Sequence, residues 1–384
     1  MSNNQSVTAT FNTGALGSRI DVSLIPAPLT NRYIIDATPT MPTLQAKARV
    51  VGITPDPTAT TTFTWRASLK VHPNRPHPNL PGAIAEDVDF DSEIIQDVTT
   101  TGEGLYTLRF KAGSVIRGGL LKLTAAATVN GTRITGVTPS GLRIEGTNPQ
   151  RSVIQTYIDQ KNDIVAPLFD VNVRDALKRM ACQESGGQLQ FRAPANGGIG
   201  PELVAPDDGV GLFQITNSPC DPFRGCPEVM FNWQANIDKA IAALRDKLEF
   251  AAPYPRILRA EQRYVEFIRR INDQRVAAGR QPITGAPAPN FRVTGSLSDT
   301  QPPNQLLQDT LRAYNGLLGM DGYGHSLHEF RPDAGFLLNA TDAEVPSLDQ
   351  NWRVWKKVPP GDRPGQGDPA YLDNVIKQTA LCGG

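Results

Sequence analysis

Glu184 is the residue whose type and position could do chemistry. It follows Val173, Leu177, Met180 and Ala181 on one face of a predicted helix and is itself followed by Ser185-Gly186-Gly187, a helix stop. A carboxyl group there meets an apolar wall and the negative end of the helix dipole. Both disfavour its charged form and favour a carboxylic acid that can donate a proton near neutral pH. Taken alone, the pattern equally describes a solvent-exposed glutamate at a helix end. Asp207 and Asp208, just before Gly209, are the candidates for a second carboxylate, or else a solvated turn. Two histidine pairs, His72 with His77 and His325 with His328, lack the further ligands at suitable spacing that a metal site needs, so no metal is expected.

The elements that would hold these residues fall into two halves. Residues 1–148 read as an all-β sandwich of the immunoglobulin-like kind, with a targeting or partner-binding role. Period-two runs occur at Ser6–Phe11, Arg19–Leu24, Thr61–Leu69, Leu105–Phe110 and Leu121–Val129. Asn130-Gly131 predicts a hairpin turn into Thr132, and Trp65 is the candidate core tryptophan. The half has no cysteine, so the disulfide of antibody domains is absent. Residues 149–384 turn helical, making the chain multidomain with a mainly-α second half. Ile237, Ile241, Leu244 and Leu248 form one apolar stripe, Leu307, Leu311 and Tyr314 another, and Tyr371 or Leu372 with Val375 and Ile376 a third. Asp368 as N-cap and Pro369 at the first helical position start the last helix. An insertion at about 250–303 combines a basic helical stretch, Arg256 to about Ala278, with a Pro/Gly/Ala-rich loop, Gln281–Pro303. It is either a surface elaboration or a binding arm.

In chain order, Glu184-Ser185, Gly211-Leu-Phe-Gln-Ile215, Asn236-Ile237, Ala313-Tyr-Asn-Gly316 and Tyr371-Leu-Asp-Asn-Val375 resemble the catalytic domain of soluble lytic transglycosylases, the family related to goose-type lysozyme. The resemblance covers about residues 151–384. It departs from the family pattern where Phe213 stands for Met and where Ala-Tyr-Asn-Ala-Gly is shortened to Ala-Tyr-Asn-Gly. It implies a lysozyme-like fold and cleavage of the MurNAc-β-1,4-GlcNAc bond of peptidoglycan to 1,6-anhydro ends. Glu184 would be the acid/base, and Ser185 would orient it and the substrate. Phe213, Gln214 and Asn315 would line the glycan groove. The Tyr314 hydroxyl would reach the catalytic carboxylate. No cofactor is implied. If Asp207 or Asp208 serves as a second carboxylate, the reaction is instead a muramidase hydrolysis. If the fold is retained without catalysis, the chain is a glycan-binding structural component.

Lys+Arg and Asp+Glu are both 38, and this balance argues against a nucleic-acid partner. No apolar run is long enough to span a membrane. Four cysteines lie in the second half; Cys220 with Cys226, and Cys182 with Cys382, are candidate disulfides, with four free thiols the alternative. The start, Met1-Ser-Asn-Asn-Gln-Ser, lacks signal-peptide features. Action in the periplasm or cell wall would then require delivery by a phage tail or a type VI-like secretion system. The expected partners are peptidoglycan glycan strands, that machine and an inhibitor protein.

Overall fold

Alternate residues of the amino-terminal strands are buried, as the period-two runs require. In the computed structural model, β5 (Thr62–Val71) buries Phe63, Trp65, Ala67, Leu69 and Val71 and turns the residues between them outward. Each large apolar side chain removed from water in this way contributes about 1.5–3 kcal/mol. The structure describes residues 8–9, 17–28, 30–53, 61–71, 76–77, 80–84, 88–89, 98–101, 105–108, 116–161, 171–216, 221–223, 226–251, 262–284, 305–315, 328–330, 334–345, 355–357, 359 and 367–382. His72, Cys220, His325, the start of the basic stretch and most of the Pro-rich loop lie outside these residues. The chain divides into two compact units, Met1–Ile154 with Glu184–Lys239 and Gln155–Gln183 with Ala240–Gly384.

Among the described residues, the first unit holds two large sheets and a two-stranded ribbon. The smaller is antiparallel, in the order β1 (Thr8–Ala9), β2 (Arg19–Ile25), β4 (Leu44–Val51), β10 (Leu105–Leu108). The larger runs β14 (Ile199–Gly200), β13 (Arg143–Thr147), β11 (Gly119–Val129), β5, β8 (Val88–Asp89). On it, β12 (Thr132–Val137) pairs with β11, β9 (Val98–Thr101) with β5, and β3 (Arg32–Ile35) lies parallel to β13. The short strands β6 (Pro76–His77) and β7 (Leu80–Ile84) pair with each other. Asn130 and Gly131 join β11 to β12 with φ of +51° and +77°, the two positive values that a type I′ hairpin demands. The sheets meet where β12 crosses β2: a Cβ on Gly136 would lie 2.3 Å from the Ile20 carbonyl oxygen.

Segment 184–239 packs onto the larger sheet. Gly146 of β13 leaves room for the Phe191 ring, and Gly118 for the Phe231 ring. α3 (Glu228–Phe231) is followed by α4 (Trp233–Ala251), where the Trp233 indole N–H donates to the Ala37 carbonyl at 2.8 Å. Asn148, just after β13, is fully buried and acts as a latch. Its Nδ2 donates to the carbonyls of Gln188 (2.7 Å), Phe191 (3.1 Å), Ala193 (3.1 Å) and Pro194 (3.3 Å), and its Oδ1 accepts the Phe191 N–H at 2.8 Å. α1 (Arg151–Asp159) begins three residues later, where Asn196 Oδ1 accepts the Arg151 N–H.

The second unit is mainly helical. α5 (Gln262–Ala277) packs Ile271 against Ile283, Leu337 and Ala340, so the helix of the insertion shares a small core with α7 (Ala334–Asn339). Arg275, which sequence puts in a basic stretch, is 0% exposed. Its guanidinium donates to the carbonyls of Gln281 (2.8 Å), Leu337 (2.7 Å) and Ala340 (2.8 Å), satisfying acceptors left over at the end of α7. α6 (Gln305–Tyr314) and α8 (Tyr371–Lys377) carry the two remaining stripes, and β15 (His328–Phe330) pairs with β16 (Trp355–Lys357). α8 starts two residues later than the Asp368–Pro369 pair suggests. Asp368 instead caps the turn before it: its Oδ1 accepts the Ala370 N–H at 2.8 Å and its Oδ2 the Asn374 side-chain N–H at 2.9 Å. Among the described residues no helix is long and apolar enough to cross a membrane.

Candidate active site

Helix α2 (Val171–Ser185) delivers Glu184. Val173, Leu177, Met180 and Ala181 are fully buried along its inner face, and Glu184, one turn on, is half-buried. The helix stops there because Gly186 (φ +57°) and Gly187 (φ +80°) take left-handed conformations that cost other residues energy. The Gln188 N–H returns to the Ser185 carbonyl at 3.1 Å. Ser185 is itself buried, which suits a residue that orients its neighbour better than one that touches a sugar.

Two consecutive turns follow in the same unit. Val204 and Val210 bridge across the first, in which the Asp208 N–H donates to the Ala205 carbonyl at 3.0 Å and the Ala205 N–H to the Gly209 carbonyl at 2.8 Å. Asp207 and Asp208 are thus the tip of a hairpin. Asp207 is exposed and accepts the Gly209 N–H, whereas Asp208 is half-buried with φ +65°. Val210 and Ile215 then bridge in turn, with N–H···O distances of 3.0 and 3.1 Å, and loop out Gly211–Gln214.

That loop is gripped by two fully buried side-chain amides. Gln190 Oε1 accepts the Leu212 N–H at 3.2 Å while its Nε2 donates to the Val229 and Met230 carbonyls at 2.9 Å. Asn236 Oδ1 accepts the Phe213 N–H at 2.9 Å, and its Nδ2 donates to the Val210 (2.9 Å) and Val229 (3.0 Å) carbonyls. Every donor and acceptor of the two amides that would be costly to bury unpaired is used. Gly211 (φ +68°) lies against both: a Cβ there would come 2.5 Å from Gln190 Nε2 and 2.8 Å from Asn236 Nδ2. Gln190 lies six residues after Glu184, so the segment leaving the helix is the same one that holds the loop.

Gln214 is half-buried, and its Nε2 donates to the Gly211 carbonyl at 2.7 Å. Phe213 does not line a groove in this structure. It is fully buried, because the tight loop turns its side chain into the core. In the second unit, the half-buried Tyr314 stacks on Tyr371 with ring centroids 6.5 Å apart. Asn315 Oδ1 accepts the Asp368 N–H at 2.7 Å, and its carbonyl accepts from Arg312 at 3.0 Å. Asn315 therefore ties α6 to the start of α8, a different use from the glycan contact expected of it.

The cysteines also sit beside these elements. Cys182 of α2 is bonded to Cys382, with Cα atoms 5.5 Å apart. Around this bond the Leu381 N–H donates to the Lys178 carbonyl, Arg179 donates to the Ile376 and Gln378 carbonyls, and the Gln378 side chain donates to Gln183 Oε1. The carboxy-terminal segment is thereby zipped along the helix that ends in Glu184. Cys226 is likewise disulfide-bonded, and no described cysteine is a free thiol.

Sequence reasoning passed over Gln190 and Asn148. An amide set between Leu189 and Phe191 was the available signal for Gln190; nothing local marks Asn148. Comparison with known protein families, curated proteins and solved structures finds no match to this chain.

Proposed function

We propose that the chain is a peptidoglycan lytic transglycosylase whose single acid/base is Glu184. The observation that carries the reading is a half-buried glutamate at the glycine-stopped end of a helix with a buried apolar face, six residues before the amide that grips the Gly211–Gln214 loop. A carboxyl in that setting suits proton transfer at a glycosidic bond. Glu184, protonated, gives its proton to the leaving oxygen as the bond from carbon one of the muramyl sugar breaks. Now a carboxylate, it takes the proton of the same sugar's 6-hydroxyl as that oxygen closes on carbon one. The product is a 1,6-anhydro end, no water is consumed and Glu184 returns to its starting state. Gln214 keeps the sugar-facing role that the resemblance gives it.

A hydrolytic muramidase is the second reading, and Asp208 favours it: it is half-buried and lies in the same unit as Glu184. On either reading residues 149–384 are read as a lysozyme-like domain, and residues 1–148 as an immunoglobulin-like sandwich that addresses the enzyme to its target or to a delivery machine.

Digestion of purified sacculi by the wild type and by Glu184→Gln, with products identified by mass spectrometry, tests the assignment. Anhydromuropeptides from the wild type alone are expected. Reducing-end products would move the chain to the muramidases, and sacculi bound without soluble release would make it a glycan-binding component.

A further inference from the structure

The outer face of the larger sheet carries a cavity of about 450 Å³, within the range of roughly 300–1,000 Å³ typical of small-molecule sites. Its origin lies in the strand order. Along one edge β11 pairs with β12 through Thr124–Val129 and with β13 through Gly119–Leu120. Between these stretches the connection from β12 to β13 is stitched to β11 instead. The Leu121 N–H donates to the Leu142 carbonyl at 2.8 Å, the Thr138 N–H to the Leu123 carbonyl at 2.9 Å, and the Leu123 N–H to Thr138 Oγ1 at 3.0 Å. Gly141, at φ +81°, lets the chain turn back. The result is a ledge at the side of an otherwise open sheet face.

Ser68 and Lys70 of β5 and Leu120 and Lys122 of β11 line the floor, and Val137 and Pro139 stand at the wall. The register sets Leu120 opposite Lys70 and Lys122 opposite Ser68, on the face away from the buried Leu69 and Leu121. Leu120 and Val137 remain half-exposed. Among the described residues, the lining includes two lysines and neither Asp nor Glu. Lys122, exposed on this floor, is the cation on which charge recognition rests.

We propose that this cavity binds a small amphiphilic carboxylate, an acyl or aryl chain bearing a single negative charge. The apolar body lies on Leu120, Val137 and Pro139, where burying it removes both surfaces from water. The carboxylate lies at Lys122, with Lys70 beside it. Lysine ammoniums on flexible stems recognise a point charge and do not demand the forked geometry that arginine offers. The site owes nothing to Glu184 and stands whether or not the chain cleaves glycans.

The test uses the full chain and a dansyl-labelled medium-chain fatty acid as fluorescent probe, with laurate and lauryl alcohol as competitors. Saturable fluorescence, displaced by laurate at much lower concentration than by the alcohol, is expected. Lys122→Glu, at an exposed position, should weaken probe binding roughly tenfold. Ser68→Trp, which fills the floor with a residue that strands accept, should abolish it. Circular dichroism of each variant checks that the sheet is retained. Absence of saturable binding to the folded wild type would overturn the proposal, as would affinity unchanged in Ser68→Trp. Equal competition by the alcohol, or unchanged affinity in Lys122→Glu, would overturn the assignment of a carboxylate.

Discussion

Removing the Cys182–Cys382 bond should be the most costly change outside the core. The two cysteines are 200 residues apart in sequence. In the chain-entropy treatment, releasing a closed loop of that length returns about 18 cal/mol/K to the unfolded chain, or about 5 kcal/mol at 25 °C. This is a ceiling, because the unfolded chain keeps some compactness and the hydrogen bonds from Arg179, Leu381 and Gln378 remain to hold the segment in the folded state. A loss of about 3–5 kcal/mol corresponds to a fall in Tm on the order of 10 °C. Calorimetry of Cys182→Ala/Cys382→Ala against the wild type measures it. Melting the double variant again with a reductant separates the contribution of the Cys226 disulfide. A double variant whose Tm lies within about 2 °C of the wild type would refute the reasoning, since closing so long a loop must cost the unfolded chain more than that.

The other expectations follow from single side chains. Asn148→Ala leaves four carbonyls and an N–H without their buried partner and should cost about 3 kcal/mol or more in urea denaturation; the near-isosteric Asn148→Asp should be no milder, because it turns an oxygen toward those carbonyls. Finding Asn148→Asp close to wild type would show that the latch is not held by its N–H donors. Gly211→Ala puts a Cβ against the Gln190 and Asn236 amides and should cost about 1–3 kcal/mol and slow release of muropeptides from sacculi, with thermal melts and digestion as the readouts. Tyr33 donates its hydroxyl to the Pro26 carbonyl at 2.7 Å, and burial pushes its pKa well above the usual 10.0. The unfolded chain therefore loses this proton near pH 10 while the folded one keeps it, so stability present below pH 10 falls as pH rises beyond it; Tyr33→Phe should flatten that alkaline limb in denaturation curves taken across pH 9 to 11.

Local patterns announced much of the local structure. Alternation marked β2, β5 and β11, Asn130-Gly131 marked the hairpin from β11 to β12, and the Gly186-Gly187 pair marked the end of α2. What sequence did not reveal depends on partners distant in the chain. The parallel pairing of β3 with β13 joins residues more than a hundred positions apart and leaves no periodic trace. Nothing local marks Gly146 and Gly118 as sites of close approach until Phe191 and Phe231 arrive against them. Arg275 reads as surface charge because a buried guanidinium is costly unless its donors are matched, and the matching carbonyls of Leu337 and Ala340 lie some sixty residues on. Phe213 reads as a groove residue because motif order says where a loop is but not which way its side chains turn. Glu184 was legible as a candidate from its stripe and stop, and Asn236 as a motif residue, whereas the structural grip of Gln190 and Asn236 on the loop was not, since the burial of an amide depends on geometry.

The grip of Gln190 and Asn236 on the Gly211–Gln214 loop engages only its main chain, at Val210, Leu212 and Phe213. The half-buried Gln214 amide adds a tie of another kind, donating to the Gly211 carbonyl at 2.7 Å across the loop itself. A substitution at 214 removes that tie but leaves the two buried amides in place, and its left-handed backbone (φ +48°) narrows the tolerated alphabet toward glycine, asparagine and aspartate. The loop is thus a socket held by two clamps, with a secondary tie that a single step can remove without first rebuilding the fold.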